Sequence, residues 1–213
     1  QVQSGAAQVI SRPLGEATEA QVVIHSQISV LTVGGGNLGD RLVQGTVVPL
    51  TNESITEEYH VDGSVAYYEL RSTVHGPLDS QHGQGRWDLQ LSDAVPINLR
   101  VDTGVAESAI DLSRLQVPQL DVHAGLGDVK LTLPAQGAVT GRIDAGVGQI
   151  VIRVPANRAA RIRVATGIGH IAATADFRRQ DGYFVTGDLQ EAEEIIDLMV
   201  SGGIGQIRLE TVD

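Results

Sequence analysis

The 213-residue chain contains no cysteine. Disulfides, thiolate nucleophiles, cysteine-based zinc sites and iron–sulfur ligation are therefore excluded. Aromatic residues make up only 3% of the chain, so aromatic platforms for sugars are scarce. Lys130 is the one lysine, and arginine supplies the rest of the positive charge. The net charge of −11 and a pI near 4.9 argue against a nucleic-acid partner, whose phosphates need a basic surface, and against an anionic lipid surface. No apolar run approaches the ~18 residues of a membrane span. The chain begins at Gln1 without an initiator Met, which reads as a mature or trimmed fragment. Attachment to a membrane is expected only through an anchor outside this sequence.

What the chain has in excess is glycine, 25 residues of 213, against a usual ~7%. The glycines recur in pairs. Gly125-Leu126-Gly127, Gly146-Val147-Gly148 and Gly167-Ile168-Gly169 stand 21 residues apart. One period earlier is Gly104-Val105-Ala106, with alanine at the second place. Gly203-Ile204-Gly205 follows Gly167 by 36 residues, one period plus a 15-residue insertion. The flanks repeat as well. Val101, Val122, Ile143, Val164 and Val200 precede the first glycine by three, and Ser108, Val129, Ile150, Ile171 and Ile207 follow it by four. Polar residues alternate with them, as in Asp128, Lys130 and Thr132. Period-two alternation is the mark of strands with one buried face.

Each period therefore reads as strand, Gly-x-Gly corner, strand and turn, with Pro134 and Pro155 at equivalent turns. A chain that changes direction between stacked strands needs positive φ or close backbone approach, and glycine supplies both. Gly104, Gly125, Gly127, Gly146, Gly148, Gly167, Gly169, Gly203 and Gly205 are the expected structural corners. Equivalent apolar residues of successive periods, including the one between the glycines (Val105, Leu126, Val147, Ile168, Ile204), are expected to stack into ladders. A dinucleotide loop needs a third glycine, a following helix and a distal acid, none of which accompanies these pairs. Calcium nonapeptides need Gly-Gly-x-Gly-x-Asp, to which Gly125-Leu126-Gly127-Asp128 alone comes near.

Taken together, these residues resemble the bacterial toast-rack proteins, whose repeats overlap the C-terminal domain of LiaF-like cell-envelope stress regulators. The likeness is carried by Trp87-Asp88-Leu89, Ile97-Asn98-Leu99-Arg100-Val101, Ile110-Asp111-Leu112-Ser113-Arg114-Leu115, Leu131-Thr132-Leu133-Pro134 and the Gly-x-Gly copies. Gln21-Val22-Val23-Ile24 through Leu31-Thr32-Val33 is similar to the N-terminal toast-rack segment, although Gln27-Ile28-Ser29 stands where a glycine pair is expected. The resemblance implies an all-β fold, a right-handed single-stranded β-solenoid, here with 21-residue coils. It also implies a bacterial cell-surface or extracellular location and adhesin-like or stress-sensing roles, and it brings no catalytic residues.

The expected organisation is a polar N-terminal leader over 1–20, irregular β coils of the N-terminal segment over 21–90, and regular repeats over 91–213 with an insertion at about 174–197. Gly34-Gly35-Gly36-Asn37-Leu38-Gly39 reads as a turn after a strand. The insertion holds Phe177, Arg178, Arg179, Tyr183 and Phe184, a possible contact loop, though a loop that caps the apolar end of the stack accounts for the same residues. His75 and His82 flank a loop that contains Asp79, but the spacing is looser than zinc motifs use. Asp102 and Asp144 occupy equivalent places two coils apart with His123 between them, a separation compatible with an inverting glycosidase pair. A solvated outer face is the simpler account. The sequence thus indicates a non-catalytic envelope binding or structural module, without cofactor or metal. Its partner would be a protein, an envelope component or another copy of itself. A polysaccharide-binding or polysaccharide-cleaving solenoid is the alternative.

Overall fold

Fourteen strands and no helix make up the described residues of the computed structural model, 5–76 and 85–213. Five of the strands are long: β2 (Glu19–Gly36), β7 (Ile97–Asp111), β10 (Val139–Pro155), β11 (Ala159–Ala173) and β14 (Ile195–Val212). A sixth rung is made by β8 (Gln119–Leu126) and β9 (Val129–Thr132), interrupted at Gly127-Asp128. All six rungs run parallel. The shorter strands finish the ends. At one end lie β1 (Gln8–Pro13), β3 (Arg41–Val48), β4 (Glu53–Asp62), β5 (Val65–Val74) and β6 (Gly85–Ser92), and at the other β12 (Arg178–Gln180) and β13 (Tyr183–Thr186).

Each rung crosses a corner and so belongs to two half-sheets. Ahead of the corner, β2 pairs with β5 and β7; beyond it, β2 pairs with β6 and β7. The burial pattern records the crossing. In β7, Val101 and Thr103 are buried, and then Ala106, Ser108 and Ile110; odd positions give way to even ones at Gly104-Val105. β2 makes the same slip between Ser26 and Ser29. Both half-sheets turn their buried positions into one apolar cluster, in which Val22, Val101, Val122, Ile143 and Val200 come from the first half and Leu31, Ile110, Leu131, Ile152 and Leu209 from the second. Trp87 on β6 is fully buried in this cluster. The slip also corrects one expectation. The residue between the glycines lies on the outside of the corner, exposed by 39% at Val105 and 71% at Ile168. Its ladder is a surface ridge, because two consecutive residues must face outward where the chain changes sheets.

The glycines are needed mainly for close approach. A Cβ on Gly104, Gly125, Gly146 or Gly167 would sit 2.5–2.7 Å from a backbone carbonyl oxygen of the adjacent rung. Positive φ is required at the second glycine, in Gly127, Gly148 and Gly205. On β2, Gln27 takes the corner place. Its N–H donates to Ser72 Oγ and its side-chain oxygen accepts from the Val74 amide, so this corner is joined to β5 by side-chain hydrogen bonds. Gly34, Gly35 and Gly36 belong to β2 and not to a turn, since they pair with Gln90, Leu91 and Ser92 of β6, and the side chains of Gln90 and Leu115 occupy the space a Cβ on Gly34 or Gly35 would need. Within the stretch read as a polar leader, residues 8–13 form β1 against β3 and bury Ile10.

The rungs do not stack in chain order. Their sequence is β2, β7, β8, β10, β14, β11, with the last-made rung inserted between its two predecessors. The exchange keeps two like charges apart. Arg142 and Arg163 are 21 residues apart, and chain order would set them side by side; instead Met199 of β14 lies between them. A polar clamp fixes the entry to the three strands. Glu194 accepts from the Gly137 amide at 2.7 Å and meets Arg158 at 3.5 Å, while buried Arg158 donates to the Gly137 carbonyl.

Two substitutions test this architecture. Gly148→Ala combines a strained φ of +143° with overlap on the Gly127 carbonyl, whereas Gly137 (φ +83°) faces open space. Urea denaturation should show a loss at least ~1 kcal/mol larger for Gly148→Ala than for Gly137→Ala; equal losses would refute the close-approach role. Ile152, 0% exposed, should not tolerate Asp, which buries an unpaired charge. Arg153→Asp, next to it on the outer face, gives up the pair with Glu210 and sets two carboxylates side by side, so it should cost about 1–2 kcal/mol, and comparable melting of the two variants would contradict the alternation.

Candidate functional site

The outer surface of the first half-sheet is built by the residues that alternate with the core positions. Because the rungs are in register, equivalent side chains form rows across the strands. One row runs Arg71, His25, Asp102, His123, Asp144 and Ser201. The next runs Arg100, Asp121, Arg142, Met199 and Arg163. Neighbours in a parallel sheet are ~4.8 Å apart, so a row of one sign would repel itself; His123 lies between Asp102 and Asp144, Asp121 between Arg100 and Arg142, and Met199 between Arg142 and Arg163. The contacts are specific. His25 Nδ1 lies 2.9 Å from Asp102 and its Nε2 3.7 Å from Glu69; Arg100 Nε donates to Asp102 at 2.9 Å; His123 Nδ1 is 3.5 Å from Asp144. The bond to Asp102 raises the pKa of the Arg100 guanidinium, as the Asp197 bond does that of Arg161.

Two shallow grooves open on this face. The first, about 560 Å³, follows the His25–Asp102–His123–Asp144 row where it meets the corner at Gly104 and Gly146. The second, about 540 Å³, has Gly141 in its floor and Asp121, Arg142, Arg163 and Tyr183 among its walls. Gly141 holds the core-facing register of Leu120 and Leu198, where a Cβ would stand 2.5 Å from the Leu120 carbonyl oxygen, so it gives the groove only backbone, and the walls are the outward side chains around it. The Tyr183 ring carries Arg161 at 5.8 Å and Arg163 at 5.9 Å, within cation–π range.

The structure separates the sequence-predicted residues. Phe184 is buried against the core cluster with the Arg179 guanidinium 4.1 Å above its ring, and Phe177 packs half-buried against that cluster. Arg178 is exposed and bonded to the Gly187 carbonyl. Of the five, Tyr183 alone lines the second groove. Asp102 and Asp144 share one row with His123 between them, and both carboxylates are engaged by basic neighbours. His75 bonds Ser54 at 2.9 Å; its suggested companions, Asp79 and His82, lie outside the described residues. Among the described residues, no three His, Asp or Glu side chains are grouped as metal ligands. Sequence reasoning did not single out Arg142 and Arg163, although with Arg100 and Asp121 they recur at the same 21-residue spacing as the glycines.

Parallel coils with glycine corners, one shared core and a charged outer face define an all-β repeat scaffold. The chain belongs to the toast-rack family: its residues 1–172 match the family described as the N-terminal domain of toast_rack, DUF2154. No curated protein matches it. Among solved structures, a candidate cell adhesion protein from Clostridium sporogenes is similar over 99% of this chain and 100% of its own, with 17% identity and a TM-score of 0.90. A candidate adhesin from Bacteroides fragilis aligns over 96% and 97% with 12% identity and a TM-score of 0.34. The Clostridium likeness establishes a common fold.

The spacing of like charges is testable. His123→Asp would align three carboxylates in one row, and stability should fall by about 1 kcal/mol at low salt and recover in 0.5 M salt through screening. His123→Gln should have a small effect that salt does not change. A salt-independent loss in the Asp variant would show that the row is not held by charge.

Proposed function

We propose that this toast-rack chain is a non-catalytic, adhesin-like binding module displayed at a bacterial cell surface, and that it holds a component of the cell envelope on the outer face of its first half-sheet. The observation that carries this reading is the pair of charged rows beside the Gly141 groove. They present donors and acceptors at a fixed repeat on a surface stiffened by the core behind it, so little ordering entropy is lost on contact. Adhesion is also the role described for the structural relative in Clostridium sporogenes. Kinship with LiaF-like envelope-stress regulators is part of the same proposal.

A polysaccharide is the second reading, favoured by Tyr183 with its two arginines in that groove. The proposal does not use Asp102 and Asp144 as a cleaving pair, since Asp102 is bonded by Arg100 and His25 and Asp144 lies 3.5 Å from His123.

Purified envelope glycan and envelope protein fractions, each titrated against the chain, test this. Saturable binding without turnover is expected, weakened at least about tenfold, or ~1.4 kcal/mol, by Arg142→Glu combined with Tyr183→Ala. Binding unchanged in that variant would remove this face from the proposal. Turnover lost on Asp102→Asn would replace the binding module with an enzyme.

A further inference from the structure

The two ends of the stack are finished differently. At the N-terminal end, β1 is six residues long and contains Arg12 and Pro13, while β4 carries Glu53, Glu57, Glu58 and Asp62. Short length, proline and charge are the devices that stop an edge from pairing. At the other end, β13 covers β11 only at residues 160–162. From 163 to 173, β11 has β14 on one side and, among the described residues, no strand on the other.

This open edge has none of the protective devices. Residues 164–175 include no Asp, Glu, Lys, Arg or Pro, in a chain whose net charge is −11. The core is only partly covered there among the described residues, with Phe177 packed half-buried against it. Ile150 and Ile207 are buried, but Ile171, their equivalent on β11, is only half-buried, and Ala173, equivalent to buried Ile152 and Leu209, is exposed. The backbone orientation is fixed by one bond: the Thr174 amide donates to the Leu209 carbonyl at 3.0 Å. Even-numbered residues therefore bond to β14, and by the alternation of a parallel ladder Gly169, Ile171 and Ala173 aim their N–H and C=O groups at the open side.

We propose that this edge pairs antiparallel with the same edge of a second copy about a twofold axis, with Ile171 opposite its own equivalent. The arrangement is self-complementary. Ile171 exchanges both hydrogen bonds with its equivalent, and Gly169 does so with Ala173 in each direction. Opposed residues then face the same side, so the two half-buried Ile171 side chains close the two open cores against each other. A second copy fits where a foreign charged strand does not, because the uncharged segment is where two strongly acidic chains meet without apposed carboxylates. Among the described residues this is the end that lacks those devices, so the contact is isologous and closes as a dimer. It is separate from the ligand face proposed above.

Sedimentation equilibrium and hydrogen exchange on the purified full chain test the proposal. At about 100 µM, a range that detects micromolar and tighter association, the expected mass is twice 22.5 kDa. The Gly169, Ile171 and Ala173 amides should be protected in the dimer and lose protection on dilution, while His170, Ala172 and Thr174 stay protected throughout. Ala173→Pro removes an outward N–H that bonds nothing within the chain, and it should halve the mass with little change in the monomer's unfolding. A wild-type monomer at that concentration, an open polymer, or a dimer whose odd-numbered amides exchange freely would overturn the proposal. Should the proline variant fail to fold, the exchange pattern of the wild type decides alone.

Discussion

Backbone-to-backbone contact at the corners is the constraint on which the rest of this molecule depends. Rungs approach there so closely that a single methyl group would meet a neighbouring carbonyl. A rung cannot slide by one residue without driving a side chain into that gap, so the corners lock the register of both half-sheets at once. Everything on the two faces follows from that lock. Apolar residues fall into buried columns on the inside, and on the outside every polar residue acquires fixed neighbours one strand away. Separation of like charges along the rows is then a requirement of the fold before it is a property of a ligand site. A surface that is regular for structural reasons is also a repetitive one, which suits contact with a repetitive partner.

The inserted position of β14 shows the same logic acting on chain order. A simple stack would place Arg142 beside Arg163; inserting Met199 separates them, and the Arg142 guanidinium lies 3.5 Å from the Met199 sulfur. In the adjacent row, Asp197 comes to lie next to Arg161 and forms an ion pair with it. The clamp of Gly137, Glu194 and Arg158 holds the three strand entries in that exchanged order. Because Arg158 is almost fully buried, loss of Glu194 would leave a cation with little water and one carbonyl partner, a costly state.

Part of this was legible in the sequence because the glycine pairs at 125, 146 and 167 stand 21 residues apart. The residues three before and four after each first glycine, picked out by that spacing and by the displaced pair at 203, are buried or line the core. The ridge was misplaced because Val105, Leu126, Val147, Ile168 and Ile204 are apolar, and apolarity alone does not reveal that alternation slips at a corner. The exchange of β14 and β11 left no mark in the glycine pattern, which is the same for either order. The structure shows it, and with it that Arg142 and Arg163 are separated by Met199. Of the insertion's aromatics, Phe184 went into the core and Tyr183 to the groove, a choice set by one step of alternation in a four-residue strand.

The place of β14 has a consequence for how the chain can be made. Residues 195–212 emerge after residues 159–173, yet they lie inside them in the finished sheet. Growth of the stack from its first coil can proceed rung by rung as far as β10, since each new strand finds its neighbour already formed. It cannot continue so to β11, whose parallel partner does not yet exist. The two final rungs must assemble together, with contacts that span long stretches of chain, and such closures are slow. Until then β10 is an unpaired edge during synthesis or export, and the nascent protein carries an adhesive surface that the mature one has hidden.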